Sequence, residues 1–191
     1  MNAYQDAYEV AKFQVIIAAC STIPGYWFTI YFIDRIGRVK IQMMGFFFMG
    51  LAYLALRISY IYWHKERKNS ASNNNKLHKG FLVLYGLTFF FANFGPNITT
   101  FIVPAELFPA RFRTTCHGIS GAIGKVGAVI GSVGFFWASN GEDEKNSLKA
   151  IGMIALALAG VCLLGMTVTS TFTREIMGRS LEENENNDQP N

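Results

Sequence analysis

Of the 191 residues, 51% are hydrophobic, 17 are Phe and only 16% are charged. That is too little charge for an ordinary soluble surface. The net charge of +4 is confined to short loops and forms no basic stripe, which argues against a nucleic-acid partner. No nucleophile, metal-ligand or cofactor constellation marks an enzyme.

In chain order, Asp6 and Glu9 come first. They precede an apolar run too long for a signal peptide and without an obvious small-residue cleavage site. Span one covers about 13–33 and holds no Asp, Glu, Lys or Arg. Gln14, Ala18, Ser21 and Gly25 fall near one helical face, and such a small, polar stripe faces other helices. Pro24 and Gly25 predict a kink. A short polar link, Asp34–Lys40, leads into span two, 41–63, whose one charge is Arg57. Arg57 lies close enough to its end to snorkel as an interface anchor.

The stretch 65–79, KERKNSASNNNKLHK, has the composition of a flexible solvated loop. Span three, 80–105, is uncharged. Span four, 114–139, contains only Lys125, and Asn140–Lys149 links it to the uncharged span five, 150–173. The tail 176–191 is polar, acidic and expected to be disordered. Each span has the roughly 20 residues needed to cross a hydrocarbon core of about 30 Å. The fold class is therefore an all-α membrane protein of about five transmembrane helices, with the lipid bilayer as its first partner. Cys20, Cys116 and Cys162 are isolated in or beside apolar runs and read as small apolar filler.

Loop charge does not orient the chain. One side carries seven Lys and Arg (35, 38, 40, 111, 113, 174, 179) and the other eight (12, 65, 67, 68, 76, 79, 145, 149). That is no bias under the positive-inside rule.

Two places carry chemistry. Lys125 sits about 16 Å into span four at 1.5 Å per residue, near mid-membrane. A lysine there costs at least about 2.5–3.5 kcal/mol and needs a counter-charge, a wet cavity or an anionic ligand. No acid lies deep in the other four spans. The same helix carries Gly121, Gly124, Gly127, Gly131 and Gly134. The last four cluster on one face, roughly 140° from Lys125 at 100° per residue, and Gly127/Gly131 form a GxxxG pair suited to close helix packing. In span three, Asn93, Asn97 and Thr100 make a polar stripe at i, i+4, i+7. Gly95–Pro96 interrupts it, and Pro96 should bend the helix and free backbone acceptors. Broken membrane helices are tolerated where they line a buried site or a wet cavity.

Asp34-Arg35-Ile36-Gly37-Arg38 resembles the D-R-x-G-R loop motif of the major facilitator superfamily. The run Pro104-Ala105-Glu106-Leu107-Phe108-Pro109-Ala110-Arg111-Phe112-Arg113 resembles its later P-x-E-x-x-P-x-x-x-R motif. Physically, each offers a tight turn whose charges can latch helices together. The text around them, from CSTIPGYWFTIYFIDRIGRVK through FGPNITTFIVPAELFPARFRTTCHGISGAIGKVGAVIG to GRSLEE, resembles the plant and fungal phosphate:proton symporters of that superfamily.

The resemblance implies that 1–175 is a partial major facilitator domain equivalent to family helices eight to twelve. It implies phosphate contact from Asn97 and an electrostatic role for Lys125, with Asp34, Arg35, Gly37, Arg38, Glu106, Arg111 and Arg113 as gating loop residues. Phosphate and protons become the expected partners, with the proton as coupling ion and no metal or cofactor. It also implies a plasma-membrane location with both loops and the C-terminus in the cytosol, and an N-terminal bundle or full-length homologue to complete the site. Arg57 and Ser59 depart from the family, which is usually apolar and Pro there, as does Thr173–Met177, which replaces a Pro-Glu turn. The alternatives are a truncated, non-transporting membrane module associating with full-length carriers, or a carrier of another solute such as sugar.

Overall fold

The computed structural model describes residues 3–67, 74–109, 111–139 and 144–173. These form six helices: α1 (Ala3–Ile36), α2 (Arg38–Arg67), α3 (Asn74–Asn93), α4 (Pro96–Leu107), α5 (Arg113–Ser139) and α6 (Glu144–Phe172). All described regular structure is α-helical, so the all-α membrane fold stands. Among the described residues, four helical segments are long and apolar enough to cross a membrane: Ala11–Ile36, Arg38–Ser59, Arg113–Trp137 and Ala150–Phe172.

Span three differs from the single helix expected. It consists of α3 and α4, broken at Phe94–Gly95. Pro96 supplies the reason: it has no N–H to continue the ladder, while its fixed φ suits the first residue of a new helix. Pro24, by contrast, does not interrupt α1, which is helical on both sides of it.

The helices also run further than the hydrophobic stretches. Residues 3–12 already belong to α1, and α2 continues to Arg67. Helices α3 and α6 begin at Asn74 and Glu144, inside the segments 65–79 and 140–149 expected as loops. The apolar run measures what lipid covers, whereas the hydrogen-bond ladder continues into the polar flanks. The rest of those two loops, 68–73 and 140–143, and the tail 176–191 lie outside the described residues.

Gly37 is the one residue between α1 and α2, with φ 101°. A side chain is disfavoured at that angle, so glycine makes the one-residue reversal possible. The expected link Asp34–Lys40 is thus helical on both sides of one glycine.

Helix α2 is the centre of the assembly, touching α1, α3, α4 and α6. Small residues set its approach to α6. A Cβ on Gly50 would come 3.3 Å from Cβ of Cys162, and one on Gly165 would press into the Phe46 ring at 2.7 Å. Arg57 donates to the Gly152 carbonyl at 2.8 Å. It therefore ties α2 to α6, through a partner that spacing on α2 alone does not show.

The small stripe of α1 faces α3. A Cβ on Gly25 would meet the Phe90 carbonyl oxygen at 2.7 Å, and one on Gly86 would meet Oγ of Ser21 at 2.9 Å. Aromatic rings fill the neighbouring space, with Phe48 stacked on Phe91 at 4.9 Å and Phe28 edge-on to Phe90 at 5.8 Å.

Candidate substrate site

The break between α3 and α4 is pinned from two sides. On the α2 side, a Cβ on Gly45 would lie 2.5 Å from Cδ of Pro96 and 2.7 Å from Cα of Gly95. Two glycines thus let main chain meet main chain. On the α1 side, the buried Thr29 hydroxyl lies 3.0 Å from the carbonyls of Gly25 and Asn93. The Asn93 carbonyl ends α3 and would otherwise lack a helical donor, so Thr29 satisfies a group the break has released.

A polar cluster grows from this point. Asn93 is buried, and its Nδ2 donates to the Phe89 carbonyl at 2.7 Å and to Thr22 Oγ1 at 3.2 Å. Asn97 Nδ2 donates to Asn93 Oδ1 at 2.6 Å and to the Tyr26 hydroxyl at 2.9 Å. Asn97 itself is exposed, on the first turn of α4. Thr100 bonds back to the Asn97 carbonyl at 3.2 Å. Counted along 80–105, the break falls near the middle of the expected span three.

The stripe Asn93, Asn97, Thr100 was legible in the sequence. Its partners Thr22, Tyr26 and Thr29 were not singled out, although they recur at i, i+4, i+7 on α1. That spacing was the available signal.

Lys125 lies one residue from the centre of α5. It is exposed, and no hydrogen bond or ion pair joins it to another described residue. Every residue of α5 from Gly118 to Trp137 is exposed, and no other group lies within 4 Å of a Cβ built on Gly118, Gly121, Gly124, Gly127, Gly131 or Gly134. Lys125 and the Asn97 cluster are not in contact.

The two loop motifs do meet. Arg38 grips Glu106 with Nε 3.0 Å from Oε2 and Nη2 3.0 Å from Oε1. Nη1 reaches Asp34 Oδ1 at 3.1 Å. The Arg38 and Glu106 side chains are only 18% and 25% exposed, so this two-pronged pair is shielded and stronger than a surface contact. It joins α2 to α4 and places both loops at the same end of the bundle. Arg35 lies over the Tyr31 ring, 4.4 Å from its centroid. Arg113 donates to the Phe108 carbonyl at 3.2 Å, within its own turn, and Arg111 is exposed.

A broken helix in a membrane protein whose amides meet a phenol from the neighbouring α1 has the construction that solute transporters use. Residues 3–187 match the family model described as "Sugar (and other) transporter", and the chain belongs to that family. It is 63% identical over 96% of its length to probable inorganic phosphate transporter 1-9 of Arabidopsis thaliana. It is 60% identical over its whole length to probable inorganic phosphate transporter 1-8 of the same plant. With low affinity inorganic phosphate transporter 1 of Petunia hybrida the identity is 50% over 96% of the chain. The chain spans about a third of the length of these relatives, 34%, 35% and 34% respectively.

Proposed function

We propose that this chain supplies part of a carrier that moves inorganic phosphate across a membrane together with protons. The observation that carries the reading is the Asn97–Tyr26–Asn93 cluster at the α3–α4 break, because a mid-depth polar site on an interrupted helix is how secondary transporters hold solutes. The names of the relatives supply the solute.

In this reading Asn97 contacts phosphate. Lys125 faces the same cavity in the complete carrier and attracts the anion by its charge, which acts strongly where little water screens it. The exposed faces of α5 pack against the other helices of that carrier. The Arg38–Glu106 pair, with Asp34, Arg35, Gly37, Arg111 and Arg113 around it, latches one end of the bundle and loosens as the halves rock. That end and the C-terminus face the cytosol, in the plasma membrane.

The test is a chimera in which this chain replaces the matching segment of the 63% identical relative. In cells lacking phosphate carriers it should restore uptake of labelled phosphate, and uptake should be accompanied by proton entry. The chain expressed alone should give none. A chimera that reaches the surface and carries sugar but no phosphate would overturn the reading, and robust uptake by the chain alone would show that no partner helices are needed.

A further inference from the structure

The hydrogen bonds around Asn97 fix more than its position. Asn93 is only 5% exposed. Its side-chain nitrogen lies 2.7 Å from the Phe89 carbonyl oxygen. A main-chain carbonyl only accepts, so the NH2 of Asn93 must be on that side. The other end of the amide, Oδ1, is then turned toward Asn97 at 2.6 Å. Oδ1 also only accepts, so Asn97 must present its own NH2. Turning the Asn97 amide over would press two carbonyl oxygens together at that distance.

The same Asn97 nitrogen is 2.9 Å from the Tyr26 hydroxyl, so both of its protons are committed. The Asn97 Oδ1 has no hydrogen-bond partner among the described residues, and Asn97 is an exposed residue of α4. Having accepted from Asn97, the Tyr26 hydroxyl keeps its own proton to donate. The cluster therefore offers a ligand one acceptor and one donor, and the acceptor is held in place from the Phe89 backbone outward.

We propose that Asn93 and Tyr26 lock the Asn97 amide with its oxygen outward, so that the site selects tetrahedral anions that carry a proton over fully ionised ones. Phosphate near neutral pH keeps one or two P–OH groups, and one of them donates to Asn97 Oδ1. Sulfate has none, so it sets an oxygen against a fixed oxygen and leaves a polar group unpaired. Such mismatches discriminate more sharply than size does. Asn93 is a positioning residue here, since it acts through Asn97. The inference rests on the reading that Asn97 contacts phosphate.

The test uses the chimera and measures labelled phosphate uptake per surface molecule, with sulfate and monofluorophosphate as competitors. Both competitors are dianions without an acidic proton at neutral pH. In the parent chimera each should inhibit at least about 100-fold more weakly than unlabelled phosphate. Asn93→Leu frees the amide to turn its NH2 outward, and this preference should fall about tenfold or more. Tyr26→Phe keeps the ring and removes one of the two partners of the Asn97 nitrogen; the preference should fall about threefold.

An unchanged preference in either variant overturns the lock. So does a parent that accepts monofluorophosphate as readily as phosphate. Asn97→Ala separates this result from the underlying reading. If Asn97→Ala weakens phosphate affinity while Asn93→Leu leaves the preference intact, only the lock fails. If Asn97→Ala leaves affinity unchanged, the contact itself fails.

Discussion

The backbones of Gly45 and Gly95 touch. A Cβ built on Gly95 would lie 2.6 Å from Cα of Gly45 and 3.0 Å from the Ile41 carbonyl oxygen. This approach seats the broken helix on α2, and it requires that neither residue carry a side chain.

Gly45→Val should therefore destabilise strongly. Its Cβ meets backbone and the Pro96 ring, which cannot swing aside, so a loss of at least about 1–3 kcal/mol is expected from overpacking. Thermal unfolding of the purified chimera in detergent should show it as a lowered midpoint. Gly80→Ala is the control, since its Cβ would meet nothing within 4 Å. Equal midpoints for both variants would refute the close approach.

The Arg38–Glu106 pair should behave as a coupled unit. Removing Arg38 takes the two-pronged donor from the shielded Glu106 carboxylate, and removing Glu106 takes the two-pronged acceptor from Arg38, so Arg38→Ala or Glu106→Ala should each cost about 1.5–3 kcal/mol. The double variant should cost little more than the worse single one. Strictly additive losses in a double-mutant cycle would show that the two do not stabilise each other. Arg38 also meets Asp34, but Asp34 is 77% exposed and its loss should shift stability by under about 1 kcal/mol.

Lys125 should matter for uptake and not for folding, because it has no ion-pair partner among the described residues. Lys125→Ala in the chimera should reduce phosphate uptake per surface molecule severely. Lys125→Arg should be impaired less, since it keeps the charge but changes its shape. A structural role would instead lower surface abundance and leave specific uptake normal.

Arg57→Met tests the opposite assignment. It keeps much of the stem and removes the bond to the Gly152 carbonyl, a loss of about 1.5–3 kcal/mol for a bond to a charged donor. Surface abundance should fall while uptake per remaining molecule stays normal. Reduced specific uptake at normal abundance would assign Arg57 to transport.

The membrane class was legible from the sequence because hydropathy is a local property. A run of about 20 uncharged residues announces its solvent whatever it packs against. The break in span three was foreshadowed by Pro96 for the same reason, since a missing N–H and a fixed φ act within one turn. Lys125 and Asn97 stood out because a charge or an amide at bilayer depth is costly wherever the helix sits.

What lay between helices was not legible. The pairing of Arg38 with Glu106, of Arg57 with the Gly152 carbonyl and of Gly45 with Gly95 joins residues 68, 95 and 50 positions apart. Tyr26 became a partner of Asn97 because α1 packs on α3 in one rotational setting, with Gly25 and Gly86 admitting the close approach. The direction of the Asn97 amide was decided further away still, by a Phe89 carbonyl whose capacity is only to accept. One-dimensional spacing gives the face of a helix, and only the packed assembly gives the donor or acceptor that the face must meet.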